Sequence, residues 1–316
     1  MKAKFACAVI ISMFLSASPG ISLASETQKS DPVVNEGTTE TQSRDVGNTV
    51  YRSETQNIFA NQNFEFGLMY WDVDYKEDIS PQPGKSTENG WLPGFYLGWN
   101  YNKKNAVYSK IFLEFSFGDV TYAGTDQSGT IPITYSANNH QFFFRGELNI
   151  GYNFSITRSI SIKPYVGYGY RYWARGQTGF VAPNVINIQE RYYWNYVPVG
   201  IATDFKISER VFIEPNAGAR FMFYGKMEAE FSDFDPGYNN PSFKLGNRIG
   251  YYAEIPLRYK FSQHWSVVVK PWYAYDEIGQ SDTVDITYMG TTVGSAYEPP
   301  SRTHQYGANV GFVVSY

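Results

Sequence analysis

The segment YGANVGFVVSY, residues 306–316, decides the fold class because its side chains alternate between two kinds of surface. One set of alternate positions is apolar and includes Val310 and Phe312, whereas the other is small or polar and includes Asn309 and Gly311. A repeat of two residues indicates a β-strand, and two chemically different faces indicate that the strand separates two different environments.

The same alternation recurs in ten segments, which we interpret as antiparallel strands. They cover residues 63–75, 91–101, 106–122, 139–154, 160–176, 189–205, 210–227, 248–261, 265–277 and 303–316. In segment 248–261, Ile255 and Leu257 belong to the apolar set, and Glu254 and Arg258 belong to the polar set. Several segments reach 14 to 17 residues, whereas strands of soluble proteins usually have about 5–6 residues. We therefore expect the apolar face to contact lipid and the polar face to line a lumen.

The connections between these segments alternate between short turns and long polar loops. Short turns follow the even segments at residues 102–105, 155–159, 206–210 and 262–264, and the long loops include residues 76–90, 231–246 and 280–301. Short turns at one end and long loops at the other, with an even number of strands, are typical of outer-membrane barrels. The sequence thus predicts an all-β fold, a closed antiparallel transmembrane β-barrel of about ten strands with periplasmic turns and extracellular loops.

The N-terminal region carries the features of an exported protein. Residues 1–24 combine two lysines with an apolar run and small residues at the end, which predicts a cleaved signal peptide. Residues 25–60 hold few large apolar side chains, which predicts a disordered periplasmic tail, and residues 61–316 are assigned to the barrel. The only cysteine, Cys7, lies in the signal peptide, so we expect neither a disulfide nor a thiolate metal site in the mature chain. The predicted location is the outer membrane of a Gram-negative bacterium.

Aromatic residues make up 18% of the chain and gather at the ends of the segments. The predicted periplasmic girdle contains Trp99, Tyr101, Tyr152, Phe154, Phe205, Phe261, Trp265 and Tyr316, and the predicted extracellular girdle contains Tyr70, Trp91, Phe142, Tyr193, Phe223, Tyr273 and Tyr275. Such girdles mark the two interfaces of a membrane. Removal of two lysines with the signal peptide changes the net charge from −4 to −6, which argues against a nucleic-acid partner.

Residues 63–316 resemble the bacterial outer-membrane β-barrel family, whose last strand usually ends in an aromatic residue. The matching positions of the terminal strand are Tyr306, Val310, Phe312, Val314 and Tyr316. The resemblance implies that the barrel assembly machinery recognises this strand and that the barrel contacts outer-membrane lipid, including lipopolysaccharide. Pairing of the last strand with the first would leave no unpaired sheet edge in the hydrocarbon.

Charged side chains on the polar set are expected to point into the lumen. They are Glu65, Lys110, Glu114, Arg145, Glu147, Lys163, Arg171, Glu214, Arg220, Glu254, Arg258, Lys260 and Lys270. One interpretation is a lumen largely filled by ion pairs, since an unpaired charge there would be costly. The alternative is a narrow anion-preferring porin, because eight of these thirteen charges are basic and five are acidic.

Proteolysis is a second alternative. The sequence resembles the omptin family of outer-membrane proteases in strand number, and that family uses aspartates with a histidine at the extracellular end of the barrel. Asp72 and Asp74 resemble its paired aspartates, and closure of the barrel would bring His304 near them, so these three are the candidate catalytic residues. The Asp-x-His element of that family's second dyad is absent from the sequence. His140 and His264 are expected at the surface.

The sequence predicts no cofactor and no metal site. The acidic loop residues Asp233, Asp235 and Asp282 could offer oxygen ligands to calcium, but their spacing does not match an EF-hand. We therefore expect a non-enzymatic surface protein with a binding or structural role. It would act through its extracellular loops on an extracellular ligand that the sequence does not identify.

Overall fold

The computed structural model describes residues 62–79, 86–126, 133–182 and 185–316. The chain divides into two units, Met1–Ser53 and Glu54–Tyr316, and all described residues belong to the second unit. The predicted signal peptide and the predicted periplasmic tail lie outside the described residues, so both stay predictions.

Antiparallel β-strands form nearly all of the described structure. In chain order the elements are β1 (Gln62–Glu77), β2 (Ser86–Asn102), β3 (Ala106–Asp126), β4 (Ile133–Ser155), β5 (Ile160–Arg175), β6 (Gly179–Ala182), β7 (Val185–Asn187), β8 (Glu190–Lys206), β9 (Val211–Ile213), β10 (Asn216–Ala229), the 3-10 helix η1 (Phe231–Asp233), β11 (Ser242–Lys244), β12 (Ile249–Glu254), β13 (Leu257–Lys260), β14 (Trp265–Ile278), β15 (Val284–Tyr288), β16 (Thr291–Ala296) and β17 (Ser301–Ser315). Among the described residues, no helix is long and apolar enough to cross a membrane.

Two of the roughly ten strands of the barrel wall are each interrupted near a proline and are therefore assigned as two shorter strands. Pro215 separates β9 from β10, and Pro256 separates β12 from β13. The sheet continues across both positions, because the N–H of Thr203 donates to the Pro215 carbonyl at 2.8 Å and the N–H of Glu214 donates to the Pro256 carbonyl at 2.9 Å. Proline has no N–H to donate, so it interrupts the hydrogen-bond ladder locally. Its carbonyl oxygen still accepts a hydrogen bond from the neighbouring strand.

The terminal strand β17 closes the barrel. It pairs with β1 from Ser315 opposite Asn63 to Ser301 opposite Glu77, and its other edge pairs with β14. The described wall strands thus form one hydrogen-bonded ring of about ten strands. No wall edge in these residues is left to lipid, which could not satisfy its amide groups. This topology confirms the predicted closed antiparallel barrel.

The two ends of the barrel differ in their connections, as the sequence predicts. Four short turns, at residues 103–105, 156–159, 207–210 and 261–264, lie at one end. At the other end the strands are joined by five longer connections, which we name L1 (78–85), L2 (127–132), L3 (176–189), L4 (230–248) and L5 (279–300). Residues 80–85, 127–132 and 183–184 of these connections lie outside the described residues. L3 carries the β6–β7 hairpin, L4 carries η1 and β11, and L5 carries the β15–β16 hairpin. We orient the loop end toward the extracellular side.

The wall strands extend further toward the loops than the sequence analysis predicts. β1 reaches Glu77 and β2 begins at Ser86, although residues 76–90 are predicted to be a loop. The β3–β4 ladder likewise continues to the pairing of Asp126 with Ile133. Backbone hydrogen bonds hold a ladder together whether or not one face is apolar. The alternation fades where polar side chains occupy both faces, and the predicted boundaries were therefore wrong by several residues.

The outside of the wall is apolar and the inside is charged. Leu257 and Phe312 point outward and are 49% and 45% exposed on the isolated chain. Glu254 and Arg258, which alternate with Leu257 along the chain, point inward, with side chains that are only 16% and 12% exposed. A water-soluble protein has the reverse arrangement. The apolar side chains on the outside of the wall therefore suit contact with lipid.

Aromatic side chains are exposed at both ends of this apolar surface. Trp91 stacks on Tyr70 with ring centroids 5.0 Å apart near the loop end. At the turn end, the Nε1–H of Trp99 donates to the hydroxyl of Tyr316 at 3.1 Å, and Trp265 is 41% exposed. Rings of this kind suit the boundary between lipid and water, where one edge is apolar and the other is hydrated.

Candidate functional site in the lumen and at the extracellular rim

The lower tier of the lumen, nearest the turns, is a set of neutralised ion pairs around a polar cavity of about 70 Å³. The pairs are Lys163 with Asp204 at 2.5 Å, Lys270 with Glu65 at 2.9 Å, Lys110 with Glu254 at 3.4 Å, and Arg258 with Glu214. Four cations thus face four carboxylates. A polar cavity of this size has room for a few water molecules and not for a larger solute.

The middle tier contains three arginines and three carboxylates. Arg145 binds Glu114 at 2.6 Å and Arg171 binds Asp276, while Arg220 lies 3.8 Å from Glu147 and 3.9 Å from Asp276. The guanidinium of Arg220 also lies 4.4 Å from the centre of the Tyr252 ring. Two cavities of about 30 and 20 Å³ remain between these side chains. Charge is balanced here as well, three against three.

An apolar upper tier lies above these charges. Trp71 contacts Phe143 with ring centroids 4.9 Å apart, Phe143 stacks on Trp173 at 5.0 Å, and Trp173 stacks on Tyr192 at 5.2 Å. These rings come from β1, β4, β5 and β8, and Trp272 of β14 contacts Trp71 at 5.8 Å. The aromatic stack therefore crosses the lumen from one wall to another. Trp173 is only 2% exposed.

A cluster of carboxylates surrounds Arg175 next to the aromatic stack. The guanidinium lies 3.1 Å from Glu77, 3.2 Å from Glu88 and 3.1 Å from Glu190. The Nε2–H of Gln141 also donates to Glu88 at 2.9 Å, and Glu88 is fully buried. One cation here faces several carboxylates, in contrast to the balanced tiers below.

A further carboxylate, that of Glu298, reaches this cluster from L5. The hydroxyl of Tyr192 lies 2.6 Å from Glu298 Oε1 and 3.0 Å from Glu190 Oε2. Glu298 is 4% exposed. Burial raises the pKa of Glu298 well above its ordinary value, and the negative charges of Glu190 and Glu77 raise it further. We call Arg175, Glu77, Glu88, Glu190 and Glu298 the upper carboxylate cluster.

The structure brings the sequence-predicted lumen charges together as pairs and adds partners that the sequence analysis missed. Asp204 lies on the same strand face as Ala202, and Asp276 lies on the same strand face as Trp272. The alternation of side chains along each strand could therefore have placed both aspartates in the lumen. Arg175 follows Arg171 on the same face in the same way. With Asp204 and Asp276 counted, the lower and middle tiers hold seven cations and seven anions. The predicted excess of cations is therefore not found in these tiers.

Lys260, Glu88 and Glu298 lie outside the lower and middle tiers. Lys260 lies half-buried at the turn end of β13. Glu88 and Glu298 fall in segments that were predicted to be loops, where alternation gives no information about direction. No sequence signal could have assigned these two carboxylates to the lumen.

The candidate catalytic residues lie on the outer face of the wall. Asp74 stands directly opposite His304 in the β1–β17 ladder. The Nδ1 of His304 is 2.8 Å from the hydroxyl of Tyr273, and its ring lies 5.0 Å from that of Tyr275. Asp72, 3% exposed, has Trp91 and Tyr306 as its ladder neighbours on the same outer face. The ladder brings Asp74 and His304 side by side, but they do not face the lumen.

The remaining histidines also lie outside the lumen. His140 is exposed on β4 and contacts Asp119 of β3. His264 belongs to the last short turn, where its Nδ1 is 2.9 Å from the carbonyl oxygen of Ser315. Within the described ranges, no three His, Cys, Asp or Glu side chains are arranged to hold a metal ion.

L4 and L5 interlock at the extracellular rim. The N–H of Met289 donates to the carbonyl of Gly237 at 2.8 Å, and the rings of Tyr238 and Tyr288 lie 4.9 Å apart. Asp235, weighed above as a calcium ligand, accepts the N–H of Gly237 at 2.8 Å, and its negative charge raises the pKa of Tyr288. The two loops thus form one ordered platform.

Apolar side chains are exposed on this rim. Phe180 of L3 is 68% exposed and meets Phe234 of L4 edge to face, with ring centroids 5.6 Å apart. Met289 and Val293 of the L5 hairpin are 75% and 57% exposed. Contiguous exposed apolar patches, rather than single exposed side chains, are the surfaces that commonly bind other molecules.

A closed wall with a lipid-compatible outside and a charged, filled inside defines an integral outer-membrane β-barrel. No family model matches the chain, and no curated protein matches it. The fold is similar to that of the outer-membrane protease OmpT from Escherichia coli, with a TM-score of 0.58 and 10% identity over 82% of this chain and 98% of that chain. At 10% identity, this similarity establishes the fold and leaves the activity open.

Other solved barrels show weaker similarity. OprG from Pseudomonas aeruginosa has a TM-score of 0.34 and 12% identity over 81% of this chain and 96% of that chain. Ail, the attachment invasion locus protein of Yersinia pestis, has a TM-score of 0.27 and 12% identity over 79% of this chain and 97% of that chain. The fold and the apolar outside of the wall confirm the predicted location in a Gram-negative outer membrane.

Proposed function

We propose that this barrel is a non-enzymatic surface protein that binds an extracellular ligand through its loops, while its lumen serves as a rigid, non-conducting support. The observation that carries the proposal is the filled lumen. A cavity of about 70 Å³ remains between the ion pairs of the lower tier, and the aromatic stack from Trp71 to Tyr192 crosses the lumen above it. A porin needs a continuous aqueous path, which side chains fill in small barrels.

The extracellular rim supports the binding role. L4 and L5 hold each other through backbone hydrogen bonds, Met289 and Val293 expose apolar surface on this platform, and Phe180 of L3 exposes apolar surface beside it. An ordered loop loses little conformational entropy when a ligand binds, so rigid platforms favour recognition. Lipopolysaccharide, a host matrix protein and another surface protein are the candidate ligands.

The test is a conductance and cleavage measurement on the refolded protein. In planar lipid bilayers we expect no stepwise channel openings, and with a mixed peptide library in lipopolysaccharide vesicles we expect no cleavage. Steady conductance that changes selectivity in Arg145→Glu would support the anion-preferring porin instead. Cleavage that disappears in His304→Ala would support the omptin-like protease and contradict the proposal.

A further inference from the structure

The upper carboxylate cluster lacks the charge balance of the lower lumen. The lower and middle tiers pair seven cations with seven anions. In the upper cluster, Glu77, Glu88, Glu190 and Glu298 accompany Arg175 alone among the described cations. A buried carboxylate without a cationic partner becomes neutral by taking up a proton.

Hydrogen-bond geometry locates one such proton. The hydroxyl of Tyr192 is within hydrogen-bond distance of both Glu298, at 2.6 Å, and Glu190, at 3.0 Å. A phenol has a single proton, so it can donate one full hydrogen bond, or share that proton weakly between two acceptors. Two full hydrogen bonds form when one of the two carboxyl groups is protonated and donates to the phenol oxygen. The arrangement therefore favours one carboxylic acid at this position.

Glu298 is the better holder of this proton. Glu190 lies 3.1 Å from Nε of Arg175, and an adjacent guanidinium favours an ionised carboxylate. Within the part of the chain that the structure describes, no lysine or arginine forms an ion pair with Glu298. The proton thus belongs on the carboxyl group that comes from L5, and not on the one that comes from the wall.

The same residue closes the base of L5. The N–H of Ser281 donates to the carbonyl of Glu298 at 3.0 Å, and the N–H of Glu298 donates to the hydroxyl of Ser281 at 2.8 Å. Ser281 lies at the start of the loop and Glu298 at its end. The two ends of L5 are therefore joined at the point where the Glu298 side chain enters the barrel.

We propose that L5 is latched to the barrel by a proton on Glu298, which Glu298 donates to the Tyr192 hydroxyl while that hydroxyl donates to Glu190, and that loss of this proton loosens the base of the loop. The groups that face Glu298 come from three wall strands. They are Glu190 and Tyr192 of β8, Tyr75 and Glu77 of β1, and Arg175 of β5. The latch concerns the conformation of L5 and does not depend on what the loops bind.

The direction of the pH effect follows from the raised pKa of Glu298 in the docked loop. A released loop exposes Glu298, whose pKa then returns to the ordinary value of 4.5. The proton therefore stabilises the docked loop fully below pH 4.5. This stabilisation decreases as pH rises and is lost above the raised pKa of Glu298. Between these limits, the ratio of released to docked loop rises by up to about tenfold per pH unit.

Hydrogen exchange on the full barrel in lipid vesicles tests the latch. Exchange at the Ser281 and Glu298 amides is measured between pH 5 and pH 9 and divided by the intrinsic chemical rate at each pH. We expect protection at these two amides to fall with pH in the wild-type protein. In Glu298→Gln, the amide replaces the carboxylic acid without a titratable proton, so protection should stay constant with pH. Glu209→Gln, an identical change in an exposed periplasmic turn, should behave as the wild type.

Two results would overturn the proposal. The first is a wild-type Ser281 amide whose protection, after division by the intrinsic exchange rate, is the same at all pH values. This result can be interpreted without any variant. The other is a pH dependence that survives in Glu298→Gln but disappears in Glu190→Gln, which would assign the proton to the wall. Infrared spectroscopy gives an independent readout, because the carbonyl band of a protonated carboxylic acid should be present at neutral pH and lose the intensity of one group in Glu298→Gln.

Discussion

Replacement of Lys163 by methionine tests whether the ion pairs of the lumen behave as buried groups. Lys163 binds Asp204 at 2.5 Å, and the two side chains are 7% and 3% exposed. Methionine keeps most of the length of lysine and removes the charge, so the main effect is an unpaired carboxylate inside the barrel. Removal of one partner of a buried ion pair costs about 3–5 kcal/mol.

The structure places the expected cost for Lys163→Met at the lower end of that range. Asp204 keeps a hydrogen bond from Ser161 at 2.8 Å and a longer one from Asn102 at 3.4 Å, and the adjacent cavity can admit water. We expect a loss of about 3 kcal/mol in the free energy of unfolding. The double variant Lys163→Met/Asp204→Asn should recover most of this loss, because neither charge remains.

A second lysine pair provides a matched control. Lys206 binds Glu209 at the same distance of 2.5 Å, but Glu209 is 83% exposed. The Lys206 side chain is 19% exposed, but the carboxylate that Lys206→Met leaves unpaired lies in solvent, so the substitution should cost no more than about 1 kcal/mol. The measurement is reversible urea unfolding in lipid vesicles, followed by tryptophan fluorescence. If Lys163→Met costs no more than Lys206→Met, the lumen is wet and the description of a filled interior is refuted.

Two further predictions concern closure and recognition. A Cβ at Gly67 would collide with the Val310 carbonyl and the Gly311 backbone, so Gly67→Ala should cost about 1–3 kcal/mol or more and reduce the heat-modifiable folded form on gels. Gly98→Ala, where the nearest atoms are 3.6 Å away, should be tolerated, and equal loss in both variants would contradict this account. Phe180→Ser should weaken adhesion to lipopolysaccharide or matrix-coated surfaces severalfold. Ile207→Ser, a matched change in a periplasmic turn, should leave adhesion unchanged. Equal adhesion of the two variants would exclude Phe180 from the ligand surface.

The sequence predicts the barrel wall well because the membrane imposes a strict alternation. Along segment 248–261, Leu257 must be apolar and Arg258 must not be, since the wall separates lipid from the lumen. This constraint ends at the lipid boundary. Beyond it, the ladder between β1 and β2 continues through Lys76 and Thr87 with no alternation to reveal it.

The upper carboxylate cluster is beyond prediction for the same reason. Parity could have placed Arg175 in the lumen, because it lies four residues after Arg171 on one strand. The partners Glu88 and Glu298 come from segments without alternation, and their approach depends on how L5 folds back over the barrel. Such contacts between distant parts of the chain are set by loop packing, which a periodicity of two does not encode.

The position of the unbalanced charge is itself informative about how this lumen is stabilised. Inside the lipid-facing part of the wall, each cation of the lower and middle tiers has a carboxylate partner. Within the described part of the lumen, the excess of carboxylates lies around Arg175, beneath L5 and next to the extracellular solvent. A proton can reach Glu298 there when the loop opens. The barrel therefore combines a permanently neutralised interior with a titratable cluster at the end where its loops can respond to the surroundings.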